Sequence, residues 1–219
     1  MYCIFIAGYI DFIIGIQQVI FMKEEYYRNK TYLCPMEINK NYITEEFTVQ
    51  MPVAEYMAHY RDAEKFIGFC RQCERYNTSW ACPPFTFDVE KYLSRYNTAL
   101  IFGMKITPLH PQEITNVISY GNELMDTVRQ PMDIHLLELE KEYNGRAFFA
   151  GSCRLCSPCT RKEGNPCTYP ERVRPSLEAC GFDIGKTTSQ LLNIELKWGG
   201  QDRMPEYLTL VGGVFFTSK

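Results

Sequence analysis

The sequence predicts a single α+β domain, with α/β left open as the variant. Three observations carry that reading. Apolar residues make up 46% and charged residues 22% of the 219-residue chain, which excludes wholesale disorder. Four short β-type runs alternate with helix-patterned stretches. No Pro/Ser/Gly linker divides them, so residues 23–219 should form one body with a small central sheet, flanking helices and two cysteine-bearing loops.

Residues 1–22, MYCIFIAGYIDFIIGIQQVIFM, stand apart from that body. They are mostly apolar over the length of a membrane span. No Lys or Arg precedes them as in a signal peptide, and Asp11 near the middle would cost roughly 2.5–3.5 kcal/mol on insertion. Met22 then opens MKEEYY like an ordinary start. The expectation is an upstream translation start or a peripheral extension, with a membrane anchor or a buried element as the alternatives. No other stretch approaches a span, so the body is expected to be soluble and cytoplasmic.

In EFTVQMPV (46–53) the β-type content predicts a short strand. Helical spacing of Val53, Met57, Tyr60, Phe66 and Ile67 predicts a helix over 53–70. A cysteine loop follows from Cys70 to Pro84. FDVEKYLSRY (87–96) reads as a helix with Asp88 near its start. TALIFGMKI (98–106) is a continuous apolar run, as in a buried strand. From Pro111 to Tyr143 the pattern is helical, with Pro131 expected to break or kink it. RAFFAG (146–151) is a strand leading into a second cysteine loop. SLEACGFDIGKTTSQLL (176–192) reads as two short helical pieces, and EYLTLVGGVFF (206–216) as a strand interrupted by Gly212 and Gly213.

Charge and motifs exclude several functions. The 23 basic and 26 acidic side chains give a net charge of -3, without the basic excess of a protein that grips nucleic acid phosphates. There is no P-loop and no Rossmann glycine signature. There is no radical-SAM C-x₃-C-x₂-C. No H-E-x-x-H occurs, and three scattered histidines, His59, His110 and His135, do not build a histidine-rich zinc site.

Ten cysteines carry the chemistry. Cys153, Cys156 and Cys159 recur at every third position, and Cys167 follows. Three thiolates so spaced wrap a compact centre, and a fourth from farther along completes the four-thiolate ligation of a [4Fe–4S] cluster. Structural zinc usually takes two well-separated pairs instead, and it remains the competing metal. A second motif holds Cys70, Cys73 and Cys82, the last followed by two prolines that turn the chain away from a metal. Only three thiols are local there. Cys34, Cys180 or a non-protein group would supply the fourth position of a cluster, and Cys34 or His59 that of a zinc site. Cys3 and Cys180 also read as small core residues. Structural disulfides are rare in the reducing compartment expected here, and C-x₂-C-x₂-C pairs poorly within itself.

Arg154 and Arg161 lie in the second cysteine loop. A thiolate-ligated cluster is negatively charged, so their guanidinium groups read as cofactor-binding charges, or else as solvated loop residues. Ser176 reads as an N-cap beside Arg174 and Glu178. Asp183 reads either as a turn residue or as a polar group facing the cluster.

The runs CRQC…WACPP, AFFAGSCRLCSPC…PC and RPSLEACGFDI resemble the DUF2284 family of predicted metal-binding proteins, over about residues 50–216. That resemblance implies a metal-binding, iron–sulfur protein of the cytosol. It places the ligands at Cys70, Cys73 and Cys82 in one motif and at Cys153, Cys156, Cys159 and Cys167 in the other. The expected function is electron transfer, or a redox-supporting step, with a redox partner protein or a small-molecule substrate and one or two [4Fe–4S] clusters as cofactor. The alternatives are a zinc-binding structural or interaction module and a metal-trafficking protein. No nucleic acid partner is expected, and no membrane apart from residues 1–22.

Overall fold

A computed structural model describes residues 34–38, 41–200 and 203–218. The readings made for residues 1–22 and for Cys3 lie outside the described residues. Among the described residues five strands form one sheet: β1 Cys34–Ile38, β2 Tyr42–Pro52, β3 Thr98–Pro108, β4 Arg146–Phe148 and β5 Leu208–Phe216. Their order is β1-β2-β3-β5-β4 and every neighbouring pair is antiparallel. The class is therefore α+β rather than α/β.

Alternation along the strands explains the apolar run in β3. Ala99 and Ile101 point to one core; Phe102, Met104 and Ile106 serve the other. β5 divides in the same way, with Val211 and Phe215 against one layer and Leu210, Val214 and Phe216 against the other. A central strand covered on both faces needs apolar residues at every position, which is unusual for an antiparallel sheet.

Helix α1 (Val53–Tyr60) and helix α2 (Ala63–Gln72) replace the single helix expected over 53–70. The break falls at Arg61 and Asp62. Both are extended or irregular in backbone, and the Asp62 side chain accepts the Lys65 N–H to start α2. Apolar spacing runs across the break, so the pattern hides it. Helix α3 (Val89–Leu93) is capped by Asp88, whose carboxylate accepts the amides of Glu90 and Lys91. Helix α4 (Val117–Glu142) passes through Pro131 without ending. Pro131 lies on the exposed face, where water can satisfy the carbonyl that loses its partner. Val128, Met132 and Leu136 hold the opposite face on the sheet.

Strand β5 is likewise unbroken at Gly212. A Cβ there would stand 2.8 Å from the Phe148 carbonyl and 2.9 Å from the Leu136 side chain, so this glycine lets β4 and α4 close on the sheet. Gly181 separates the two helical pieces of 176–192 with φ of 93°, and its absent Cβ leaves room for Ala63 of α2. Among the described residues no helix is long and apolar enough to cross a membrane.

Candidate metal centre

The first cysteine motif begins where α2 ends. Cys70 lies in the last turn of the helix, and Cys73 is its C-cap, donating its N–H to the Cys70 carbonyl at 3.0 Å. The chain then folds through tight turns. Asn77 N–H meets the Pro83 carbonyl at 2.8 Å, and Cys82 N–H meets the Ser79 carbonyl at 3.1 Å. These turns carry Cys82 back toward the helix end. Cys70, Cys73 and Cys82 together line a cavity of about 170 Å³ whose other wall includes Gly151, Ser152 and Glu178. The amide of Arg75 points at Cys73 Sγ, 3.4 Å away.

The second motif follows β4. A 3₁₀ turn over Thr160–Glu163 ends at Gly164 in the left-handed conformation, and Thr160 Oγ1 donates to the Pro166 carbonyl at 2.8 Å. The loop thereby doubles back and brings Cys167 toward Cys153, Cys156 and Cys159. Burial pushes the Cys153 thiol up, opposed by the Leu155 amide, and the other three thiols add to the rise. Burial also raises Cys156, together with the charge of Cys159, while the Thr160 amide opposes them. All four thiols are thus electrical neighbours.

Arg161 joins the two loops. Its Nη1 donates to the Ser79 and Cys82 carbonyls at 2.9 and 2.8 Å, and its Nη2 donates to Pro84 O at 2.6 Å and Asn77 Oδ1 at 3.2 Å. The guanidinium lies 5.0 Å from the centre of the Trp80 ring. Trp80 Nε1 returns a bond to Asn165 O at 3.1 Å. Contact between the cysteine loops, which the sequence did not disclose, is thus made by one arginine and one tryptophan.

Arg154 takes a different position. It pairs with Asp126 of α4. Together with Arg129, Asp133, Cys153 and Tyr169 they line a cavity of about 450 Å³ beside the second loop. Asp133 is bound by Arg129 at 3.1 Å. Burial outweighs that pairing and pushes the Asp133 acid from 3.8 up to about 6. The folded chain then binds more protons than the unfolded chain between about pH 4 and 6, so this residue makes stability fall as pH rises through that window. Asp133→Asn should flatten that segment. Urea midpoints of the two proteins at about pH 4.5 and 6.5 measure it, with the variant losing less on going up.

The other sequence candidates are set elsewhere. Cys180 is buried in the core with Phe182 and Leu177, burial raises its thiol, and its carbonyl accepts Arg61 Nε at 2.8 Å. Cys34 opens the edge strand β1, four strand spacings from β4, or roughly 19 Å at the usual separation. His59 is exposed on α1 and is not part of the thiol cavity. Ser176 Oγ accepts the Ala179 amide at 3.2 Å from one residue before the N-cap position of the Glu178–Cys180 turn, which is Leu177 rather than the Ser176 read from sequence. Asp183 caps the turn beginning at Ile184 by accepting the Lys186 amide at 2.9 Å. Glu178 was not read as a site residue. No local sequence signal marks it, because its place on the cavity wall comes from tertiary folding.

Among the described residues no three His, Cys, Asp or Glu side chains form a group that could hold one metal ion as they stand. The donors are thiols, which suit zinc or iron–sulfur centres and not hard cations. In a cubane each thiolate meets its own iron, so a cluster accepts thiols spread more widely than a single ion does. The Arg75 amide aimed at the sulfur of Cys73 fits the same group. The four thiols of the second loop therefore match the donor set of a thiolate-bound cluster in kind and number, and the first loop supplies three such donors.

No curated protein and no solved structure matches the chain. The model of one family, described as predicted metal-binding protein (DUF2284), matches residues 57–216. That span holds β3, β4, β5, all but the start of the helical layer, and both cysteine loops, and on it the chain belongs to the DUF2284 family of predicted metal-binding proteins.

Proposed function

We propose that this protein is an iron–sulfur protein of the electron-transfer class. Cys153, Cys156, Cys159 and Cys167 would hold one [4Fe–4S] cluster, and Cys70, Cys73 and Cys82 a second. The observation that carries the reading is the second loop. Four thiols lie there within electrostatic reach of one another, and in the first loop the Arg75 amide points at Cys73 Sγ. Backbone N–H groups directed at sulfur stabilise the added electron of a reduced cluster and set its potential. When bound, such clusters supply one-electron chemistry. The chain itself supplies thiolates, half-buried except for the exposed Cys73, and fixes the spacing of the loops through Arg161. The adjoining loops support relay between two centres, with a redox partner or a small molecule as the electron source or sink.

Cys156→Ser tests the ligand set. Anaerobically purified wild-type protein should be brown, with iron and sulfide in equal amounts. The variant should lose about half of both while keeping its fold by circular dichroism. Unchanged iron in the variant contradicts the assignment. Zinc without sulfide in the wild type points instead to a structural or trafficking module.

A further inference from the structure

Three thiols leave the first motif one donor short. Cys34 stands on the far edge strand, His59 is exposed away from the cavity, and Cys180 belongs to the apolar core. The cavity itself offers another donor. Glu178 lines it with Cys70, Cys73 and Cys82. Among the described residues its buried Oε2 has no hydrogen-bond partner, whereas native buried carboxylate oxygens are normally satisfied. Glu178 lies close enough to Cys70 to push that thiol up, after burial and Cys73.

The geometry points to Glu178 as the fourth protein donor of the Cys70–Cys73–Cys82 centre, with Oε2 as the atom that binds iron. This inference rests on the iron–sulfur reading above. A three-thiolate, one-carboxylate set is unsymmetrical. Oxygen is a harder donor than sulfur and holds iron of a cluster less firmly than thiolate does. The iron facing Glu178 is therefore the exchangeable one. Glu178 also forms part of the wall of a cavity of about 580 Å³ lined by Phe66, Met125, Leu208 and Trp198. The first centre is thus the one with an exchangeable position, and the four-cysteine centre has a full set of thiolates.

Glu178→Gln and Glu178→Cys, purified anaerobically, test this by metal content and electron paramagnetic resonance. Gln keeps the shape of the side chain and removes the anionic donor. The expected result is loss of about one iron per chain, with a three-iron signal appearing in the oxidised protein. Cys restores a fourth thiolate, so Glu178→Cys should keep the full iron load and shift the signal of one centre. The apo form of Glu178→Gln should be at least as stable in urea as wild-type apo protein, because a buried charge is gone. A Gln variant with wild-type iron content and spectrum overturns the inference while leaving the cluster reading intact. A less stable apo Gln variant also overturns it, since the carboxylate would then serve the fold. Wild-type protein devoid of iron overturns the cluster reading itself, and this inference with it.

Discussion

Arg161→Ala should separate the two cysteine loops and loosen both centres together. The guanidinium occupies four acceptors of the first loop, three of them main-chain carbonyls, and stacks on Trp80. Hydrogen bonds from a charged donor contribute roughly 1.5–3 kcal/mol each when buried. Arg161 is only half-buried and the four bonds share one group, so a total of about 2–4 kcal/mol is expected. Urea unfolding of the apo protein measures that loss. In the loaded protein the variant should surrender iron to a chelator at least several-fold faster, from both motifs. Arg161→Lys should resemble Ala more than wild type, because an ammonium cannot reproduce a planar fork that spans four acceptors. A lysine variant indistinguishable from wild type would show that charge alone matters there.

Arg174→Met should cost about 3–5 kcal/mol, the usual result of removing one partner from a buried ion pair. Arg174 Nε and Nη2 approach the two oxygens of Glu140 at 2.6 and 2.5 Å, in a two-pronged contact whose side chains are 5% and 15% exposed. Glu140 Oε2 also accepts the Ala147 N–H at 2.6 Å, and Arg146 stands 3.8 Å from Oε1. One carboxylate near the end of α4 therefore fixes β4, from which the second cysteine loop issues, and the segment entering Ser176 and Glu178. Without Arg174 that carboxylate keeps only the amide of Ala147 and a looser arginine. Adding Glu140→Leu to Arg174→Met should recover part of the loss, since the stranded charge is removed as well. Denaturant unfolding of the two variants decides. A cost below about 1 kcal/mol for Arg174→Met would mean that solvent reaches the pair.

Where one physical constraint acted alone, the sequence was a good guide to the fold. The run in β3 reads as a buried strand because both faces of the sheet are covered. Asp88 reads as a helix start because a cap is a local device. Competing constraints hid the rest. The Arg61–Asp62 break lies inside an unbroken apolar pattern. Pro131 is tolerated because its missing donor falls on the wet face of α4, and Gly212 continues a strand because neighbours need its empty space. Strand β1 has only five residues and contains Pro35, which a strand tolerates at an edge. In the candidate site, cysteine spacing marked the two loops in which the fold gathers the thiols. Spacing was silent on Glu178, which the fold delivers from a hundred residues away. It was equally silent on Arg161, whose guanidinium reaches the carbonyls of the opposite loop.

The most direct measurement is iron, zinc and acid-labile sulfide on the anaerobically purified full-length chain, paired with electron paramagnetic resonance before and after dithionite reduction. The account predicts about eight iron and eight sulfide per chain, little zinc, and signals from two centres in the reduced protein. A colourless protein carrying about two zinc ions, no sulfide and no paramagnetic signal would contradict it.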